Sequence, residues 1–461
     1  MSIASINPWT GETLKVYTPH NSYEVEQKID YAWDCYLDTI KNLDEVRKAR
    51  VGKLLRLAEI LENEKDDLGA LMVTEMGKPL RQAIQEVEKC ARSCRYYAET
   101  GLKALQASPV ISPSAVSKRK AEIQYHPIGV VLSIMPWNFP FWQVIRGLAP
   151  ILLGGNSVVL KHASNVPGCA LAIEKLCREA GFSECEFQTI LVPSSDIEKI
   201  IQDKRIAAVT LTGSEGAGRS VGAEAGRAIK KAVLELGGSD PFVVMPSADL
   251  EKAVEAAALS RLVNNGQSCI SAKRFIVHEK IYESFRERFI ARMKAAVTGD
   301  PMKMETELGP LSSRKACEDL HAFVDDAVKK GAKVCLGGEL SKGKGAFYPA
   351  TVIENISFDA KIRDEEAFGP VAALYRVRDL DEAIALANST RFALASSFWS
   401  KDEAEIKVAV AQIEAGATFV NEMVASDPRL PFGGIKGSGY GRELSQVGLY
   451  EFVNIKTIVQ A

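Results

Sequence analysis

Gly129-Val130-Val131-Leu132-Ser133-Ile134-Met135-Pro136-Trp137-Asn138-Phe139-Pro140 is an apolar run of strand length that stops at a proline, an amide side chain and a second proline. Proline has no N–H to give a ladder, so the strand has to end there. Comparable runs recur at Ser157 to Leu160, Gln188 to Val192, Ala207 to Leu211 and Ala232 to Leu236, separated by segments of helix length. Strands alternating with helices read as a parallel, doubly wound α/β sheet. A second alternation follows, with runs at Pro241 to Met245, Arg274 to Val277, Lys333 to Leu336 and Val371 to Tyr375, joined by helical stretches such as Leu250 to Val263 and Ile281 to Val297. Two α/β domains are therefore expected, with a ligand site in the cleft between them.

Two segments fit neither alternation. Lys120 to Tyr125 and Phe452 to Val459 alternate polar and apolar residues with the period of a strand. The whole chain of 461 residues is 46% hydrophobic and 25% charged with a formal charge of −2, which offers no electrostatic case for nucleic acid or an anionic membrane. Lys118-Arg119-Lys120 is too short to change that. No signal-like segment and no apolar run of spanning length is read, so a cytoplasmic protein is expected. Nine scattered cysteines lack the spacing of a disulfide framework, and the five histidines show no ligand spacing, so reduced thiols and no metal are expected.

The candidate chemistry begins at Asn265-Gly266-Gln267-Ser268-Cys269-Ile270, where a cysteine stands among small and polar residues. Leu234-Glu235-Leu236-Gly237-Gly238 holds a carboxylate between leucines before two glycines, and Asn138 supplies an amide donor. Thiol, carboxylate and amide make an acyl-transfer set. Singly, each has an ordinary reading: a core thiol, a solvated acid, a rigid turn.

Together with Leu211-Thr212-Gly213-Ser214, Glu366-Ala367-Phe368-Gly369-Pro370 and Pro431-Phe432-Gly433-Gly434, these motifs resemble the aldehyde dehydrogenase superfamily from about Asn7 to the C-terminus. Lys161-His162-Ala163-Ser164-Asn165-Val166 and the Cys269 box look most like its bacterial succinate-semialdehyde branch. The resemblance implies the α/β fold of that family, with 1–116 and 128–236 binding cofactor, 237–428 catalytic, and 117–127 with 429–461 forming an oligomerisation arm and C-terminal strand. It implies a homodimer or homotetramer, the arm extending a neighbouring subunit's sheet. An internal hairpin is the alternative.

By the same resemblance Cys269 is the nucleophile, Asn138 with the Cys269 N–H the oxyanion donors, and Glu235 the base that hydrolyses a thioester. Pro136, Trp137, Lys161, Ser164, Gly213, Ser214, Gly218, Leu236, Glu366 and Phe368 match cofactor-binding positions. Relatives preferring NAD commonly carry glutamate where Ser164 stands. A serine donates to a 2′-phosphate that a carboxylate repels, so NADP is favoured and NAD remains possible. The glycines at 213, 216 and 218 do not spell the usual dinucleotide fingerprint. If Pro140 begins a helix, Trp142 and Arg146 share one face at i,i+4, and with Ser268 and Ser426 they suit an aldehyde bearing a distal carboxylate. Arg146 as an arginine tying the two domains together is the alternative. Glutarate semialdehyde, lactaldehyde or a catalytically idle cofactor-binding oligomer remain as other readings.

Overall fold

The computed structural model describes residues 3–110, 120–343 and 345–460. Lys118, Arg119 and the start of the expected arm lie outside them. Five parallel strands form the first sheet in the order Lys231–Glu235, Ile206–Thr212, Val130–Met135, Ser157–His162 and Phe187–Thr189. Gly439–Tyr440 adds an antiparallel edge beside Lys231–Glu235. Alternate residues face opposite sides of a strand. Val131, Met135 and Val158 accordingly enter one core cluster with helices Leu43–Asn63, Leu80–Ala104 and Trp142–Leu153, while Leu132, Ile134 and Val159 enter another with Ser22–Thr39. Both faces are covered, which is why these strands read as unbroken apolar runs.

The second sheet has seven strands in the order Lys333–Leu336, Thr351–Glu354, Val371–Val377, Arg274–His278, Pro241–Val244, Ala395–Trp399 and Ala417–Val420. All but the Lys333–Leu336 edge are parallel. The sequence alternation misses Thr351–Glu354, Ala395–Trp399 and Ala417–Val420, which are short or hold serine and threonine where an apolar run is sought.

Lys120–Pro127 and Val453–Gln460 are strands as expected, and they pair antiparallel with each other from Val453↔Pro127 to Gln460↔Lys120. Ser108–Pro109 continues this small sheet on the other side of Lys120–Pro127. Among the described residues no helix is long and apolar enough to cross a membrane.

Candidate active site

The loop carrying Cys269 is built on backbone that few residues adopt. Asn264, Asn265 and Gly266 have φ of 53°, 59° and 74°, in the left-handed region that asparagine tolerates and glycine enters freely. A Cβ at Gly266 would collide with the carbonyl of Gly369, so the cysteine loop lies directly on the Glu366–Pro370 segment. Asn265 locks the turn by donating to the carbonyls of Gly77 (2.9 Å) and Pro310 (2.8 Å) and accepting from the Gly309 N–H (2.7 Å). Buried Arg261 holds the far side through the carbonyls of Gly266 and Ala272.

Asn138 meets this loop from the first sheet. Its Oδ1 accepts from Gln143 Nε2 at 2.9 Å, which turns Nδ2 toward the cysteine loop, where it donates to the Gln267 carbonyl at 3.0 Å. The Asn138 carbonyl accepts from Asn264 Nδ2 at 2.6 Å. The surrounding turn is pinned twice more. His162 Nδ1 accepts from the Ala163 N–H, so Nε2 donates to the Pro140 carbonyl at 3.0 Å, and burial pushes this imidazole down to about 4. Glu86 accepts the N–H groups of Phe141 and Trp142 and pairs with buried Lys78, whose ammonium lies 3.8 Å over the Phe139 ring. The helix runs from Trp142 to Leu153 and not from Pro140, because the turn held by Glu86 comes first.

Cys269 is half-buried. Burial pushes its thiol up to about 12, and the cations Lys273 and Arg146 pull the other way. Burial thus favours the thiol over the thiolate in the free site. Lys273 donates to the carbonyls of Ser268 (2.8 Å) and Cys269 (2.5 Å) and pairs with Glu366 at 3.0 Å, which ties two predicted site segments through a residue the sequence reading missed.

Glu235 ends its strand 2% exposed, and neither carboxylate oxygen has a hydrogen-bond partner among the described residues. Its pKa is raised well above the carboxylate range by burial and next by the charge of Glu443. A Cβ at Gly433 would stand 2.5 Å from Glu235 Oε1, so the Pro431-Phe432-Gly433-Gly434 segment needs glycine to pass this acid.

The predicted cofactor residues gather at the carboxyl ends of the first sheet, where such sheets bind ligands. Lys161 is buried, its ammonium 3.4 Å from Ser194 Oγ and in no ion pair among the described residues, with Ser164 exposed just beyond. Ser214 caps the helix Glu215–Arg227 by accepting from the Ala217 N–H at 3.3 Å. The Gly213 and Gly218 N–H groups are spent on the carbonyls of Glu235 and Ser214, both at 2.9 Å, so those two glycines donate nothing to a pyrophosphate. A Cβ on Gly218 would stand 2.5 Å from Leu236 Cδ1, and close packing is its role. The Ser214, Glu215 and Gly216 N–H groups remain, at a helix N-terminus that favours an anion. Trp137 and Phe368 meet edge to face, ring centroids 5.7 Å apart, and Pro136 precedes this pair. A buried unpaired ammonium and unspent helix N–H groups fit a dinucleotide.

The predicted substrate residues divide. Trp142 and Ser268 are buried and Ser426 is half-buried. Arg146 is engaged within the protein: its Nε pairs with Glu443 Oε2 at 2.5 Å, its Nη2 donates to Thr212 Oγ1 at 2.9 Å, and Phe432 covers its guanidinium. These contacts tie Arg146 to the strand Ile206–Thr212 and to the C-terminal segment, not to the second sheet, and no partner of Nη1 is found among the described residues. Glu443 carried no signal in the sequence, because Gly-Arg-Glu-Leu reads as a surface turn.

The model of the aldehyde dehydrogenase family matches residues 1–458. A Mycobacterium avium protein named succinate-semialdehyde dehydrogenase [NADP(+)] is 49% identical over 458 residues, covering 99% of this chain and 96% of the relative. An aldehyde dehydrogenase of Paenarthrobacter nicotinovorans is 48% identical over 458 residues, with 99% of both chains covered. The succinic semialdehyde dehydrogenase of Streptococcus pyogenes, solved with NADP+, superposes with a TM-score of 0.96 at 37% identity over 99% of both chains.

Proposed function

The chain belongs to the aldehyde dehydrogenase family, and from that premise we propose that it oxidises succinate semialdehyde to succinate through a cysteine thioester, with NADP the favoured acceptor and NAD the weaker one. One arrangement carries the reading: the Asn138 amide is turned onto the Cys269 loop, and an unpaired buried Glu235 ends the adjoining sheet.

Cys269 gives its proton to water, and its sulfur bonds to the aldehyde carbon, moving the carbonyl electron pair onto oxygen. Asn138 Nδ2 and the Cys269 N–H donate to that oxygen. NADP, when bound, supplies the two-electron acceptor that turns the adduct into a thioester. Glu235 takes a proton from water, the resulting hydroxide attacks the thioester carbon, and the C–S bond breaks to release carboxylate and restore Cys269. Burial and the charge of Glu443 raise the pKa of Glu235, and a carboxylate of raised pKa is a stronger base than an ordinary one.

Lys161 and Ser164 hold the adenosine ribose and its phosphate, the helix start after Ser214 the pyrophosphate, and Glu366, Phe368 and Trp137 the nicotinamide end. Residues 1–116 and 128–236 serve the cofactor, 237–428 the chemistry, and the arm strands of 117–127 and 429–461 join subunits into a dimer or tetramer. Trp142, Ser268, Ser426 and Arg146 Nη1 face the distal carboxylate. Initial rates for succinate semialdehyde and butanal, each with NADP and NAD, test this. A preference for butanal, or for NAD, overturns the corresponding half.

A further inference from the structure

Lys89 is a desolvated cation in no ion pair among the described residues. It stands on the helix Leu80–Ala104, half-buried, and its Nζ donates to Ser426 Oγ at 2.6 Å while lying 4.4 Å over the Trp142 ring. The acids that approach it are engaged elsewhere. Glu86, on its own helix, pairs with Lys78 and caps the turn before Trp142. Asp427 pairs with Arg429 at 2.6 Å. It is also faced by Arg92 and the Cys90 thiol from its own helix and by Arg146 from the neighbouring one. Burial first, and then Arg146, push Lys89 down to about 8.

A half-buried ammonium facing a guanidinium is unfavourable unless an anion joins them. Arg146 has its anion in Glu443, so the uncompensated positive charge of this cluster sits on Lys89. Ser426, the partner of Lys89, also lines a cavity of about 310 Å³ with Phe419, Asp427 and Phe432, whose walls do not include Lys89 itself. We propose that Lys89, with Ser426, binds the distal carboxylate of the aldehyde and sets the preference of this enzyme for aldehydes ending in a carboxylate. The proposal rests on the function assigned above to the same cleft.

The test compares succinate semialdehyde with butanal at saturating NADP for the native protein, K89M and K89R. In K89M, kcat/KM for succinate semialdehyde should fall about 10–150-fold relative to butanal, the worth of one charge-assisted hydrogen bond. The loss should lie in KM, since the contact is remote from the reacting carbon. K89R should keep most of the preference. In the native protein KM for succinate semialdehyde should rise as pH passes upward through about 8, where Lys89 loses its charge, and K89R should flatten that rise. Equal losses for both aldehydes in K89M, or an unchanged ratio, overturn the role of Lys89 while leaving the function standing. A native enzyme with no preference for succinate semialdehyde over butanal overturns both.

Discussion

Arg146 and Glu443 form an ion pair inside the protein, Nε to Oε2 2.5 Å, with side chains 3% and 2% exposed. Glu443 is in turn the neighbour whose charge raises the pKa of Glu235, while Arg146 lowers it. The proposed base is therefore tuned by a carboxylate that is itself paired with a guanidinium.

Replacing Glu443 with glutamine tests that tuning. The negative charge that raises Glu235 disappears and Arg146 loses its partner, and both changes lower the Glu235 pKa. A base is active when deprotonated, so the acidic limb of the kcat profile should move to lower pH. The variant should also be less stable, because breaking a buried pair by removing one partner costs about 3–5 kcal/mol. A kcat profile that stays in place shows that Glu443 does not act on the base.

Glu235→Gln separates the two half-reactions. One equivalent of reduced cofactor should form in a burst, while steady turnover falls by roughly 10²–10⁴-fold, the usual worth of general base catalysis. A variant without a burst assigns Glu235 to the step before the thioester.

The resting thiol makes a prediction about reactivity. With its pKa pushed up to about 12 by burial, Cys269 in the cofactor-free protein should react with iodoacetamide at neutral pH more slowly than a free thiol, its rate climbing through the alkaline range without levelling. Lys273→Met removes the first of the cations that favour thiolate, so it should slow the reaction further. Cys269→Ala should abolish both dehydrogenase and esterase activity. Rapid alkylation at pH 7 would mean that another group takes the proton in the resting site.

Much of this was legible in the residues. The central strands of both sheets are covered on two faces, so their apolar runs mark them directly, and the motifs around Asn138, Glu235 and Cys269 sit at strand ends or strained turns where composition is distinctive. The misses have a physical cause. Ala395–Trp399 and Ala417–Val420 satisfy serine and threonine by hydrogen bonds such as Ser396 Oγ to Thr418 Oγ1, at 2.9 Å, and these leave no apolar pattern. Lys89, Lys273 and Glu443 meet Ser426, Glu366 and Arg146, each far away in sequence, and each looks like a surface charge when read locally. Arg146 shows the same limit. Its i,i+4 spacing from Trp142 is real, but nothing near it in the chain reveals Glu443.

The cofactor preference rests on Ser164, exposed beyond the strand Ser157–His162, and on buried Lys161 three residues before it. A serine hydroxyl donates to a 2′-phosphate, and a carboxylate in its place meets that phosphate with like charge. Ser164→Glu should therefore lower kcat/KM for NADP far more than for NAD. Lys161→Ala acts differently. Its ammonium has no acid to release, so its removal should weaken both cofactors, with the loss of charge felt more by the one carrying the extra phosphate. Titrating each variant with both cofactors by fluorescence, without aldehyde, separates binding from turnover. An NADP to NAD ratio left unchanged by Ser164→Glu would show that the ribose is read elsewhere, and Lys161 would then be the residue to reverse next.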